Sequence, residues 1–179
     1  MLHVGASTTL KQWDPRRWRE LANRLAAQGM APVWSAGREE MEIVRSCDPG
    51  GRYRSFAGEL SLTQLWTLIT HAALLVAPGT GIAHLGRLVT TPTVALFGPG
   101  SSTISGAGEF WRNVAFRGVT VDPYPCRDQR VLFKREIAWV RRCERLSTEC
   151  AHPKCMDAIE LDRVVGAIEE VRGAAETRL

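Results

Sequence analysis

No run of about 18 uninterrupted apolar residues occurs in this 179-residue chain, which excludes a membrane-spanning helix. The opening residues Met1-Leu2-His3-Val4-Gly5 lack a basic segment followed by an apolar stretch, so no secretory signal is expected. Internal repeats and low-complexity linkers are missing too. Neither the Gly-Lys-Ser/Thr ending of a Walker loop nor a Gly-x-Gly-x-x-Gly turn follows the first predicted strand. A P-loop nucleotidase and an NAD-dependent dehydrogenase therefore both lose their main sequence support. There is no Asp-x-Asp pair to hold a divalent metal. The five cysteines are an odd number, which without a secretory signal argues for a reducing, cytoplasmic setting.

What is present suits one soluble globular domain, with 45% hydrophobic and 23% charged residues. A chain of this length buries about 70% of its unfolded surface, enough for a sizeable core. Six tryptophans are many for its size, and their apolar neighbours predict core or cleft positions. The net charge of +4 is too mild to imply nucleic acid. The excess is local: Arg127, Arg130, Lys134, Arg135, Arg141, Arg142 and Arg145 face only Asp128, Glu136 and Glu144 in that stretch. Such a cluster is either a solvated helix face or a surface for phosphates or an anionic membrane.

Short apolar runs alternating with amphipathic helices predict a doubly wound, Rossmann-like parallel α/β sheet over residues 1–118. Strands are expected at Leu2–Val4, Pro32–Ser35, Tyr53–Phe56, Leu74–Ala77, Thr93–Phe97 and Asn113–Phe116. Asp14-Pro15 reads as a helix N-cap and first turn, with Trp18, Leu21, Ala22 and Leu25 on one face and Gly29 as the stop. A second helix is expected over Glu39–Ser46, and Ser61-Leu62-Thr63-Gln64 is a capping box opening a third. Residues 119–159 form a basic, Cys-rich appendage, and a last helix spans residues 160–172.

In such a sheet, ligands sit at the carboxyl ends of the strands. Two loops there are unusual. Gly5-Ala6-Ser7-Thr8-Thr9-Leu10-Lys11 combines small residues, hydroxyls and a compact positive charge, the means of holding a phosphate beside a helix N-terminus. Pro78-Gly79-Thr80-Gly81-Ile82-Ala83-His84 opens a helix with two glycines and a threonine, and places His84 one turn in. Each loop also has a plainer reading: a capped turn for the first, and turn glycines with a satisfied histidine for the second.

Taken together, Gly5-Ala6-Ser7 with Lys11 and Trp13, Thr80-Gly81 with His84-Leu85, and Thr91-Pro92-Thr93-Val94-Ala95-Leu96-Phe97-Gly98-Pro99 resemble the C-terminal half of family 9 glycosyltransferases. That family contains the ADP-heptose:lipopolysaccharide heptosyltransferases, and the resemblance runs from residue 2 to about residue 172. It implies the nucleotide-sugar donor half of a GT-B enzyme, with an acceptor half and its general-base Asp lying elsewhere. Met1 stands immediately before the first strand, so that half, and with it any catalytic base, is expected to be missing. Carried across by position, Ser7, Thr8 and Lys11 would hold the donor diphosphate, and Gly79, Thr80, Gly81 and His84 would close on it. Glu40 would take the ribose hydroxyls, with Glu39 and Glu42 close enough in sequence to compete for the role. One departure stands out: Gly79 occupies a position where the family usually has Asp. The resemblance implies an ADP-sugar or other NDP-sugar donor, a lipopolysaccharide-core acceptor, contact with the inner membrane and no cofactor. A non-catalytic nucleotide-binding or interaction module is the alternative.

Cys126, Cys143, Cys150 and Cys155 are the candidate metal ligands. Their separations of sixteen, six and four residues match no closely paired ligand motif, so no metal is expected. His152 could replace one ligand, and free thiols are the plainer reading.

Overall fold

The computed structural model describes residues 1–177. β1 (Leu2–His3) leads through a loop to α1 (Pro15–Ala27), where Asp14 accepts from the Arg16 N–H at 2.7 Å and Pro15 occupies the first turn. Gly29, at φ 81°, ends the segment in the left-handed region that glycine enters without penalty. β2 (Val33–Ser35), α2 (Met41–Cys47) and β3 (Arg54–Ser55) follow. α3 (Leu62–Thr70) opens on the Ser61–Gln64 capping box. β4 (Leu75–Pro78), α4 (Gly81–Leu88) and β5 (Thr93–Phe97) complete the part that the sequence marked most clearly.

After the short α5 (Ser102–Ser105), the last sheet strand is β6 (Phe116–Thr120), later than the expected Asn113–Phe116. Arg117 and Gly118 hide it, because a glycine inside a strand ordinarily counts against one. Here Gly118 relieves a tight contact. A Cβ there would stand 3.1 Å from the Phe97 ring of the neighbouring strand. β6 also carries the sheet past residue 118, so the expected boundary between core and appendage falls within a strand.

All six strands run parallel in the order β3-β2-β1-β4-β5-β6. β1 and β4 are adjacent, and from them the chain winds outward in both directions. Side chains alternate between two buried faces, as the period of two in a strand demands. Val76, Val94 and Leu96 join one cluster with Trp18, Leu21 and Leu25 of α1. Leu75, Ala77, Ala95 and Phe97 join another with Ile69 and Ala83. Each fully buried large apolar side chain contributes about 1.5–3 kcal/mol, and apolar burial on both faces explains why these strands read as unbroken hydrophobic runs.

The tail contains a hairpin, β7 (Val131–Leu132) and β8 (Arg135–Glu136), then α6 (Lys154–Asp157) and α7 (Leu161–Glu176). α7 is longer than expected and returns to the sheet, burying Val164, Ile168 and Val171 in the α1 cluster. Of the six tryptophans, Trp13, Trp18 and Trp34 are fully buried, whereas Trp66 and Trp139 are exposed and depart from expectation. Among the described residues no helix is long and apolar enough to cross a membrane.

Candidate functional site

Because the sheet is parallel, the loops leaving β1, β2, β4 and β5 gather at one edge. In the first, Thr8 caps a single 3-10 turn, Thr9–Lys11, by accepting from the Leu10 N–H at 3.3 Å. This turn throws the half-buried Lys11 across to β4, where its Nζ donates to the Gly79 carbonyl at 3.3 Å. The two loops singled out in the sequence therefore meet. The adjacent α1 N-terminus is not available to an anion, because the Asp14 carboxylate already occupies it and pairs with Arg16 at 2.8 Å. Positive potential at this loop comes from Lys11 and the short turn.

Glu40 is separated from its neighbours by geometry. Its Oε1 accepts from the Ala6 N–H at 2.7 Å and its Oε2 from the Gly37 N–H at 2.8 Å. It straps the first loop to the segment after β2. Gly5 makes room for the strap, since a Cβ there would stand 2.0 Å from Glu40 Oε2. Glu42 instead pairs with Arg45 at 2.8 Å on the exposed face of α2, and Glu39 is exposed. Each carboxylate oxygen of Glu40 keeps a second lone pair for a further donor.

In the second loop, Gly79 is set by space and not by backbone conformation. A Cβ there would lie 2.6 Å from Cδ1 and Cε1 of Phe97, so the phenyl ring fills the room that a side chain at position 79 would need. Thr80 takes the N-cap position of α4 without capping it, and its buried hydroxyl has no partner. The first N–H groups of α4 therefore lack a side-chain cap, the condition under which a helix N-terminus favours an anion. Ser7 and His84 are exposed.

His84 Nδ1 meets the Arg87 guanidinium. An arginine can only donate, so Nδ1 accepts and the ring proton resides on Nε2. Although the residue is exposed, desolvation of its ring against its neighbours, with the Arg87 and Lys11 cations adding to it, holds the imidazole below its ordinary range. At neutral pH, His84 is thus a neutral donor and not a cation. Arg87 itself is buried, with its guanidinium over the Phe116 ring at 4.9 Å and donating to the Gly106 carbonyl.

Two cavities open on this edge. One of about 810 Å³ is lined by Ser7, Thr8, Gly37, Arg38 and Glu40. The other, about 430 Å³, is lined by Thr8, Lys11, Ser101, Arg142 and Arg145. They share Thr8 and Ser147 in their walls. Gly79, Thr80, Gly81 and His84 line neither and reach the site through Lys11.

Arg142 and Arg145 were legible only as members of a basic cluster. The fold brings them beside Lys11 because the Cys143 N–H donates to the Pro99 carbonyl at 3.0 Å. Arg127, from the same cluster, is no solvated side chain: it is 3% exposed and donates to the Phe97 carbonyl at 3.1 Å. The cluster thus divides between a buried anchor, a cavity wall and an outer surface.

Cys126, Cys143, Cys150 and Cys155 line one cavity of about 520 Å³ with His152, despite their irregular spacing. All are free thiols, and burial pushes Cys155 up to about 11. Among the described residues, no three His, Cys, Asp or Glu side chains are placed to hold a metal ion.

Residues 1–134 match the model of glycosyltransferase family 9 (heptosyltransferase). Lipopolysaccharide heptosyltransferase 1 of Pseudomonas aeruginosa is 27% identical over 175 residues, 97% of this chain and 48% of that protein. Among solved structures, the Escherichia coli ADP-heptose lipopolysaccharide heptosyltransferase II superposes with a TM-score of 0.72 at 19% identity. That match covers 98% of this chain and 46% of the other. A family 9 glycosyl transferase from Veillonella parvula gives the same TM-score at 20% identity, covering 96% and 46%. The chain spans about half the length of each of these relatives.

Proposed function

Because the chain belongs to glycosyltransferase family 9, we propose that its carboxyl-end cleft is the donor site of a heptosyltransferase-like GT-B enzyme, taking ADP-heptose or a related NDP-sugar. The observation that carries this reading is the bond from Lys11 to the Gly79 carbonyl, which joins the two expected phosphate loops across β1 and β4. Two of the three ammonium hydrogens remain for a ligand.

In this reading the diphosphate lies by Lys11, Ser7 and Thr8, with the amides of Gly79 to Gly81 and the neutral Nε2–H of His84 on its other side. Glu40 accepts the ribose hydroxyls on its spare lone pairs while keeping the loop in place. Attack of an acceptor hydroxyl on the anomeric carbon, with inversion, transfers the sugar and leaves negative charge on the diphosphate. A preorganised cation and oriented amides act on that developing charge. The acceptor is a lipopolysaccharide core bound by the other half of a complete enzyme, which also supplies the general base. By itself, this chain binds donor and transfers nothing. Five free cysteines suit a cytoplasmic setting.

A charge-assisted phosphate contact is worth about 1.5–3 kcal/mol, against about 1 for a neutral one. Lys11→Ala should therefore weaken ADP and ADP-heptose binding by roughly 10- to 150-fold and leave adenosine nearly untouched. Calorimetric titration with the three ligands tests it. Equal ADP affinity in parent and variant would remove the phosphate role of the first loop.

Gly79 favours a second reading, a nucleotide-binding module without transfer, since the Phe97 ring occupies the place of the family's usual Asp. ADP and ADP-heptose binding with equal affinity would support it.

A further inference from the structure

Of the β7–β8 hairpin, only Leu132 reaches the wall of the Lys11 cavity. Val131 stands opposite Glu136 and Leu132 opposite Arg135. The tip, Phe133-Lys134, has φ values of 51° and 61°, which a two-residue turn of this hand requires and which Asn or Gly normally supplies. Instead the turn presents a phenyl ring that is 87% exposed. Trp139, close behind in sequence, is 60% exposed. The base is fixed by contrast: Val140 is fully buried, and Gln129 and Arg142 form a bridge across the two arms.

The tail's cations divide around this hairpin. Arg127, Arg142 and Arg145 pair with Asp122, Glu144 and Asp128. Among the described residues, Arg130, Lys134, Arg135 and Arg141 have no carboxylate partner. Only Glu136 opposes them between residues 130 and 141. An apolar tip among unpaired cations fits a surface that offers anionic headgroups above an apolar layer. A protein partner would need an apolar pocket set among acidic groups, whereas an anionic lipid surface offers both everywhere.

We propose that the hairpin docks the protein on an anionic lipid bilayer, with Phe133 entering the acyl boundary and Lys134 and Arg135 meeting lipid phosphates. Leu132, next to the tip, lines the Lys11 cavity, so docking would hold that cavity at the membrane surface. The resemblance implies a membrane contact without saying where it lies; the proposal locates it on the hairpin, apart from the donor-site reading, and its test needs no nucleotide and fails separately.

The test is co-sedimentation of the whole chain with vesicles of phosphatidylcholine alone or mixed with phosphatidylglycerol. Binding is expected to the anionic vesicles only, and to fall away near 1 M salt, where screening acts within about 3 Å. About 1 kcal/mol per cation at such a surface is about fivefold each, so the Lys134→Gln/Arg135→Gln pair should bind about 30-fold more weakly. Phe133→Ser should lose about 10-fold through its apolar contact. Both variants should keep the parent's melting temperature. No binding, equal binding to neutral vesicles, or an unaffected Phe133→Ser variant would each overturn the proposal. So would a dimer that Phe133→Ser dissolves in the absence of any vesicle binding, which would assign the hairpin to a second copy of this chain.

Discussion

Replacing Glu40 separates its structural duty from any contact with ligand. Its carboxylate accepts from the Ala6 and Gly37 N–H groups, at 2.7 and 2.8 Å. Ala6 is buried and Gly37 exposed, so water can replace the second bond but not readily the first. Glu40→Ala therefore leaves the Ala6 N–H without its acceptor, at a cost of about 1–3 kcal/mol. Glu40→Gln keeps one carbonyl oxygen, which should turn to Ala6 and leave Gly37 to solvent. That variant should lose only the charge assistance of the bond, about 1 kcal/mol. For a chain of this size each kcal/mol lowers the melting temperature by about 2–4 °C. The order parent, Gln, Ala should appear in urea titrations followed by circular dichroism without nucleotide. If Glu40→Ala unfolds at the parent's midpoint, solvent serves both amides and the strap is not a stabilising contact. If the strap holds, Glu40→Ala should weaken nucleoside and nucleotide alike, and Glu40→Gln becomes the variant that reports on the ribose.

His3, buried and paired with Ser35 at 2.8 Å, is pushed down by burial to about 4. Its unfolded counterpart titrates near 6.5, so the unfolded chain takes up the proton first. The neutral imidazole's stability is complete above about pH 6.5 and declines as pH falls toward 4, by about 3 kcal/mol. His3→Gln should flatten that part of the stability profile; identical pH slopes for the two proteins would refute it. Gly79→Ala and Gly79→Asp should each destabilise by about 1–3 kcal/mol, because the new Cβ meets the Phe97 ring. Chemical denaturation at parent stability for both would show that the ring moves aside freely.

Much of the architecture follows from local chemistry. Asp14-Pro15 and the Ser61–Gln64 box set helix starts through bonds spanning a few residues. The unbroken apolar runs at β4 and β5 mark strands buried on both faces. β6 escaped because its glycine is explained by a ring on another strand. The far end of α7 is hidden from periodicity because its last turns carry few apolar residues.

Residue chemistry along the chain already says where it must turn, cap and bury, and which two loops carry small residues, hydroxyls and Lys11 to one edge. These are properties of neighbours in the chain, which periodicity and side-chain chemistry report directly. Tertiary structure alone chose Glu40 over Glu39 and Glu42, because its partner Ala6 lies 34 residues away. It also drew Arg142 and Arg145 to the Lys11 cavity, buried Arg127 under β5 and left the hairpin's cations outside. Seven similar charges in one stretch have no pattern that sorts them. What sorts them is which backbone carbonyl, carboxylate or open water each one meets once the tail has folded back over the sheet.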